Sequence, residues 1–116
     1  MTRIGFLGPR GTFTEAALRS MPASGSAELL PYASVALVLE AVREGEIDSA
    51  LVAIENSIEG GVTGTLDELA SGVPLVITDE VVLRVRFALV ARPGTALADI
   101  GRVAASPSVV VARSSL

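Results

Sequence analysis

Cysteine and histidine are both absent from this 116-residue chain. No disulfide can form, no thiol or imidazole can serve as nucleophile or base, and no Cys/His metal site can be built. A cation would have to be held by carboxylates alone, and the acids show no calcium-loop spacing. No metal site is therefore expected. Lysine is missing too, so all nine positive charges are arginines, set against 13 acids for a net charge of −4. With no basic run, nucleic acid is not an expected partner. Aromatic residues make up only 3% of the chain while hydrophobic residues make up 50%. The core must then be built from Val, Leu, Ile and Ala, a composition that suits strands covered by small-residue helices and argues against disorder. The longest apolar runs are too short to cross a bilayer, so no membrane partner is expected. The amino terminus enters a strand pattern at once, without signal-peptide organisation. By length this is one domain at most, with a modest core, and a soluble cytoplasmic protein is the expectation.

What is present alternates. Residues 4–7 read as a buried strand, followed by a turn at Gly8-Pro9-Arg10-Gly11. Thr12 caps a helix, with Glu15 completing a capping box, and Met21-Pro22 ends it. Residues 23–26 read as a loop of small side chains. Residues 28–32 form a second strand. Ser34 caps a second helix through Glu44, with an apolar stripe of Val35, Leu37, Val38, Leu39 and Val42, and Gly45 closes it. A third strand is expected over residues 50–54. Thr65 caps a short helix over 66–70 that Gly72 stops. Beyond it, residues 73–77, 81–91 and 102–105 read as strands. Arg84 and Arg86 fall on one strand face, the pattern of an edge with one wet side. Arg92-Pro93-Gly94 makes a turn, and Asp99-Ile100 a short helical turn. Strands alternate with helices up to about residue 70 and dominate afterwards, which suggests an α/β layer followed by a second, strand-rich unit.

Two loops carry groups with chemistry to offer. Residues 8–13 join a strand to a helix, where unpaired N–H groups and the helix dipole favour an anion, and Arg10 can add a charge-assisted contact. The plain alternative is a capped βα turn. The lysine of a phosphate-binding loop is missing, and Gly5, Gly8 and Gly11 do not fit the dinucleotide spacing. The second loop, Glu55-Asn56-Ser57-Ile58-Glu59-Gly60-Gly61, places two acids, an amide and a hydroxyl at the carboxyl end of a buried strand. In an open α/β sheet that end is where ligands bind. Its glycines allow close backbone approach. A plain polar turn held by Asn56 is the alternative. If the strands are parallel, both loops lie on one edge, and only together do they make a pocket. Arg84 and Arg86 could clamp an anion or simply face solvent. Tyr32 reads as packing.

These two segments together resemble prephenate dehydratase. The resemblance rests on Gly8-Pro9-Arg10-Gly11-Thr12-Phe13-Thr14-Glu15, on Ala53-Ile54-Glu55-Asn56-Ser57-Ile58-Glu59-Gly60-Gly61-Val62, and on Thr65-Leu66-Asp67, and it extends over roughly residues 1–105. It implies an α/β fold like a type II periplasmic binding protein, with two lobes and the substrate between them. Residues 1–78 would be the first lobe. Residues 79–116 would begin a second lobe, partial here, with a truncated or divergent tail. The implied activity is a carbon–oxygen lyase reaction of phenylalanine biosynthesis, turning prephenate into phenylpyruvate with loss of water and carbon dioxide and without any cofactor.

By that resemblance Gly11, Thr12, Phe13, Asn56, Ser57, Glu59 and Gly60 bind and orient prephenate, and Glu59 is the one in-chain candidate for the acid. The family's downstream Thr-Arg-Phe motif, with its catalytic threonine, does not occur in this sequence. Where the family usually has a Ser-His-Pro-Gln-like segment, this chain reads Ala105-Ser106-Pro107-Ser108. The expectation is therefore a chain that supplies one wall of the cleft and is inactive or weakly active alone. The competing readings are a non-catalytic small-anion binding module and a truncation product. Open strand edges after Val81 lead to a further expectation, a homo-oligomer associating through residues 81–116.

Overall fold

Alternation along the first strand decides the layers. The computed structural model describes residues 1–56 and 60–104. The chain divides into two compact units, Met1–Val85 and Arg86–Leu116. In the first, β1 (Arg3–Leu7) pairs in parallel with β2 (Glu28–Tyr32) on one side and with β3 (Ser49–Leu51) on the other. The sheet order is β2-β1-β3, so β1 is central. Side chains of a strand point alternately to opposite faces. Ile4 and Phe6 of β1 pack with Leu29 and with Leu18 of helix α1 (Phe13–Ser20). On the other face, Val38, Leu39 and Ala41 of helix α2 (Val35–Arg43) pack with Ile47, Leu30, Tyr32 and Ala50. The result is a three-layer α/β/α unit with a helix on each face of a parallel sheet.

Gly5 explains how closely α2 approaches. A Cβ there would lie 2.6 Å from both Val38 Cγ2 and Ile47 Cδ1. Phe6, on the α1 side, is fully buried, which stabilises the layer by about 1.5–3 kcal/mol. Asp48 ties the end of the α2–β3 connection to the sheet. Its carboxylate accepts from Arg3 N–H at 2.7 Å, and its own N–H donates to Arg3 O at 2.9 Å.

Local signals place the helices. Thr12 caps α1, its hydroxyl accepting from Glu15 N–H, and Met21 follows the last turn. Ser34 caps α2 by accepting from Leu37 N–H, and Gly45 follows at φ +76°. The small-residue loop before β2 is wound into a 3-10 helix, Pro22–Ser26, that Pro22 starts.

Four expectations are corrected. The third strand covers only Ser49–Leu51, because the backbone beyond it serves a different pairing. There β4 (Glu55–Asn56) and β5 (Gly60–Gly61) form an antiparallel hairpin, and Val62 N–H donates to Ile54 O at 2.9 Å. Thr65 does not cap the third helix. That helix, α3 (Thr63–Ala70), starts two residues earlier from Val62, and Thr65 is fully buried inside it. Residues 73–77 and 81–91 are apolar enough for strands, yet among the described residues neither joins a ladder. A strand needs a neighbour, and β1 already has one on each side. Residues 102–104 are likewise unpaired in any ladder, and 105–116 lie outside the described residues.

Within Arg86–Leu116, Thr95 N–H donates to Arg92 O at 3.1 Å across the expected turn. A 3-10 helix follows at Leu97–Asp99. Among the described residues, no helix is long and apolar enough to cross a membrane.

Candidate functional site

The connections from β1 and β3 run to opposite faces of the sheet. After β1 the chain enters α1, which packs on the face of Ile4 and Phe6. After β3 it passes through the β4–β5 hairpin into α3, whose Leu69 packs on the α2 side. The two strands are hydrogen-bonded neighbours, with Phe6 opposite Leu51, and both point the same way. In open α/β sheets, such a reversal leaves a crevice at the carboxyl edge where ligands settle. The 8–13 loop and the 55–61 segment leave the sheet at this edge.

Short-range contacts hold the first loop. Gly8 N–H donates to Tyr32 O at 2.8 Å, and the Thr12 hydroxyl donates to Leu7 O at 3.3 Å. Gly11 sits at φ +87°, a backbone conformation that favours glycine. Its N–H donates to Glu15 Oε1 at 3.0 Å. Arg10 reaches Glu15 Oε2 at 3.3 Å and donates to Leu29 O at 3.1 Å, while Arg19 lies 3.4 Å from the same carboxylate oxygen. The Gly11 N–H bond, joined by Arg19 and Arg10 and opposed by partial desolvation, holds the Glu15 carboxyl below its ordinary value. The start of α1 thus already accepts a carboxylate, and that carboxylate is internal. Arg10, read from the sequence as a charge available to a ligand, is committed to Glu15 and to the Leu29 carbonyl.

Phe13 stands 55% exposed at the head of α1. An apolar hollow of about 430 Å³ opens beside it in sequence, lined by Gly8, Pro9, Pro31, Tyr32 and Ala33 at the carboxyl ends of β1 and β2. A smaller one, about 170 Å³, lies on α2 among Tyr32, Leu37, Glu40, Ala41, Glu44 and Glu46, away from both motif loops.

In the second loop, the hairpin opposes Glu55 to Gly61 and Asn56 to Gly60. Ser57 and Glu59 lie outside the described residues. Glu55, Asn56 and Gly60 are therefore brought to the edge that also carries Gly11, Thr12 and Phe13. Arg84 and Arg86 are both exposed. Among the described residues, no three acids gather in a metal-holding arrangement.

Sequence reasoning missed Arg43. It lies at the end of α2 with its side chain 7% exposed, and it donates to Val73 O at 3.0 Å and to Glu68 O and Ser71 O, each at 2.8 Å. Only its place in the last turn of a helix was visible beforehand, since the carbonyls it meets lie 25 to 30 residues downstream.

Comparison with known proteins gives one consistent result. The family model described as prephenate dehydratase matches residues 4–114. A prephenate dehydratase of Mycolicibacterium gilvum is 50% identical over 117 residues, covering 92% of this chain and 38% of the relative. The prephenate dehydratase of Mycobacterium tuberculosis (strain H37Ra) is 47% identical over 115 residues, covering 92% and 36%. Among solved structures, prephenate dehydratase from Arthrobacter aurescens in complex with L-Phe superposes with a TM-score of 0.58 at 53% identity, covering 63% of this chain and 24% of that one. The Streptococcus mutans prephenate dehydratase gives 0.53 at 40% identity, covering 60% and 36%. The chain thus spans 36 to 38% of the length of these curated relatives.

Proposed function

We propose, since this chain belongs to the prephenate dehydratase family, that its first unit forms one wall of a prephenate site. One observation carries this reading: the two motif-bearing loops follow neighbouring parallel strands whose connections diverge to opposite faces of the sheet. The sheet and its helices are then the first lobe of a fold like a type II periplasmic binding protein, over residues 1–78. Residues 79–116 begin the second lobe.

Prephenate carries two carboxylates. Its reaction expels the ring hydroxyl as water while one carboxylate leaves as carbon dioxide, and aromatisation drives it. A protein performing it must hold both carboxylates and protonate the departing hydroxyl. Gly11, Thr12 and Phe13 on the first loop, with Asn56, Ser57, Glu59 and Gly60 on the second, bind and orient the substrate. Glu59 is the candidate acid. An anion that takes the Gly11 N–H must displace Glu15, whose carboxylate holds it now. No cofactor enters this reading.

The Thr-Arg-Phe segment is absent from this sequence, so the chain alone is inactive or weakly active. Loss of a positioned acid removes ~10²–10⁴ in rate, and loss of the opposite wall removes orientation as well. The chain associates with copies of itself through residues 81–116, which supports its place as a cytoplasmic biosynthetic component.

A second reading, a small-anion module without catalysis, is favoured by the carboxylate already seated on Gly11 N–H. Calorimetry of the chain with prephenate, phenylpyruvate and phenylalanine separates the two. Prephenate binding with little or no phenylpyruvate absorbance appearing supports the first. Full turnover by the chain alone overturns the claim that an essential part is missing. Tight binding of an unrelated anion, with none of these three, supports the second.

A further inference from the structure

Helix α3 has little of its own to hold its ends. No side chain caps its N-terminus at Val62, its first turn carries no acid and its last turn no base. A helix leaves its final carbonyls unpaired, with a partial negative charge among them. Here the cation comes from another helix. The Arg43 Nη2 donates to Glu68 O in the last turn of α3 and to Ser71 O just past it. Its Nε donates to Val73 O as the chain departs. The Nη1 lies 3.6 Å from Glu40 Oε2 on α2 itself. Gly72 closes the turn around this guanidinium at φ +72°, and a Cβ there would lie 3.3 Å from Arg43 Cζ and 3.4 Å from Nε. One planar, always-charged fork thus gathers three carbonyls, which a lysine ammonium on a flexible stem cannot match in geometry.

What α3 carries gives this latch a consequence. The helix begins where the β4–β5 hairpin ends, and Leu66 N–H donates to Val62 O at 3.0 Å. Moving α3 along or away from α2 moves Gly60, Gly61 and Val62 with it. Helix α2 in turn packs on β1 and β3, the strands that launch both loops.

We propose that Arg43 is a positioning residue for the 55–61 loop. It fixes α3 to α2 from the far end of the helix, about 12 Å along its axis from the loop, and so presents the loop already ordered for its ligand. It touches no substrate. Preorganisation of this kind lowers the ordering cost of binding. The inference rests on the proposal that the loop binds prephenate.

The test compares the whole chain with Arg43→Lys, which keeps the charge and loses the fork, and with Leu29→Val. The latter trims the core on the α1 face, away from the latch. Hydrogen exchange at the Val62 and Leu66 amides is read without ligand, thermal unfolding is read in parallel, and prephenate affinity is read by calorimetry. Arg43→Lys is expected to speed exchange at both amides and to weaken prephenate binding about tenfold, since small misplacements of binding groups are costly. Leu29→Val is expected to lower the melting temperature while leaving both readouts near wild type. Unchanged exchange in Arg43→Lys overturns the proposal. So does a loss of affinity no greater than that of Leu29→Val at equal stability. If the unaltered chain binds no prephenate, the reading of the loop fails, and the exchange arm alone still decides whether Arg43 orders it.

Discussion

The carboxylate of Glu15 accepts the N–H of Gly11 at 3.0 Å, four residues back and just outside the helix that Glu15 belongs to. Together with the Thr12 hydroxyl that accepts from Glu15 N–H, this closes the start of α1 on both sides of its cap.

The pH dependence follows from that bond. The folded chain holds Glu15 below its ordinary value of 4.5, first through Gly11 N–H and then through Arg19 and Arg10. A carboxyl with a depressed folded value stabilises the fold fully above its unfolded value and loses that contribution as pH falls through the folded one. Acidification below 4.5 is therefore expected to lower the thermal midpoint of the chain more steeply than that of Glu15→Gln. Parallel slopes in an acid series of melting curves would show that the bond contributes nothing.

Removing the internal carboxylate also frees the first loop. Glu15→Ala leaves Gly11 N–H without its present acceptor and releases Arg10 from one of its partners. Prephenate, or another dicarboxylate, is expected to bind this variant more tightly than wild type at low salt. The gain should shrink as salt screens the exposed arginine. Calorimetry at two ionic strengths checks it, and a weaker affinity would place the anion elsewhere.

Gly5 is expected to tolerate no side chain. Alanine there drives a methyl against Val38 and Ile47 in the packed α2 layer, and overpacking of this kind costs about 1–3 kcal/mol. Urea unfolding of Gly5→Ala measures it. An unchanged midpoint would mean that α2 moves off the sheet freely.

Thr65 presents the opposite case, a fully buried hydroxyl without a hydrogen-bond partner among the described residues. Thr65→Val keeps the shape and removes an unpaired polar atom, so stability is expected to hold or to rise by up to about 1 kcal/mol. A clear loss on denaturant titration would reveal that residues 57–59 supply a partner.

Val82 is 93% exposed, and Val73, Val76 and Ile77 stand open nearby in the chain. Exposed apolar backbone outside any ladder invites pairing with another copy. Sedimentation velocity is expected to give a mass that rises with concentration, and Val82→Glu to lower it. A clean monomer at all concentrations removes the homo-oligomer from the proposal.

Local grammar was enough for much of the α/β layer. Thr12 with Glu15, Ser34 with Leu37, and Gly45 act over three or four residues or less, so the caps of α1 and α2 could be read directly from sequence. The bounds of β2 were legible for the same reason, its apolar run being flanked by small residues and a helix cap. The two motif loops stood out because functional groups crowd the ends of apolar strands, although three residues of the second lie outside the described chain.

What the sequence determined, then, was the order of elements, their caps and the family, all of which depend on neighbours along the chain. Tertiary structure decided what depends on distant partners. It ended β3 at Leu51, because a hairpin claims the backbone beyond, and it drew Thr65 into the interior. It bound Arg10 to Leu29, 19 residues away, and Arg43 to carbonyls up to 30 residues away. A charged side chain carries no local mark of the carbonyl it will meet. Only packing α3 against α2 brings those acceptors within reach, and only then does a surface-patterned arginine become the clamp on a loop.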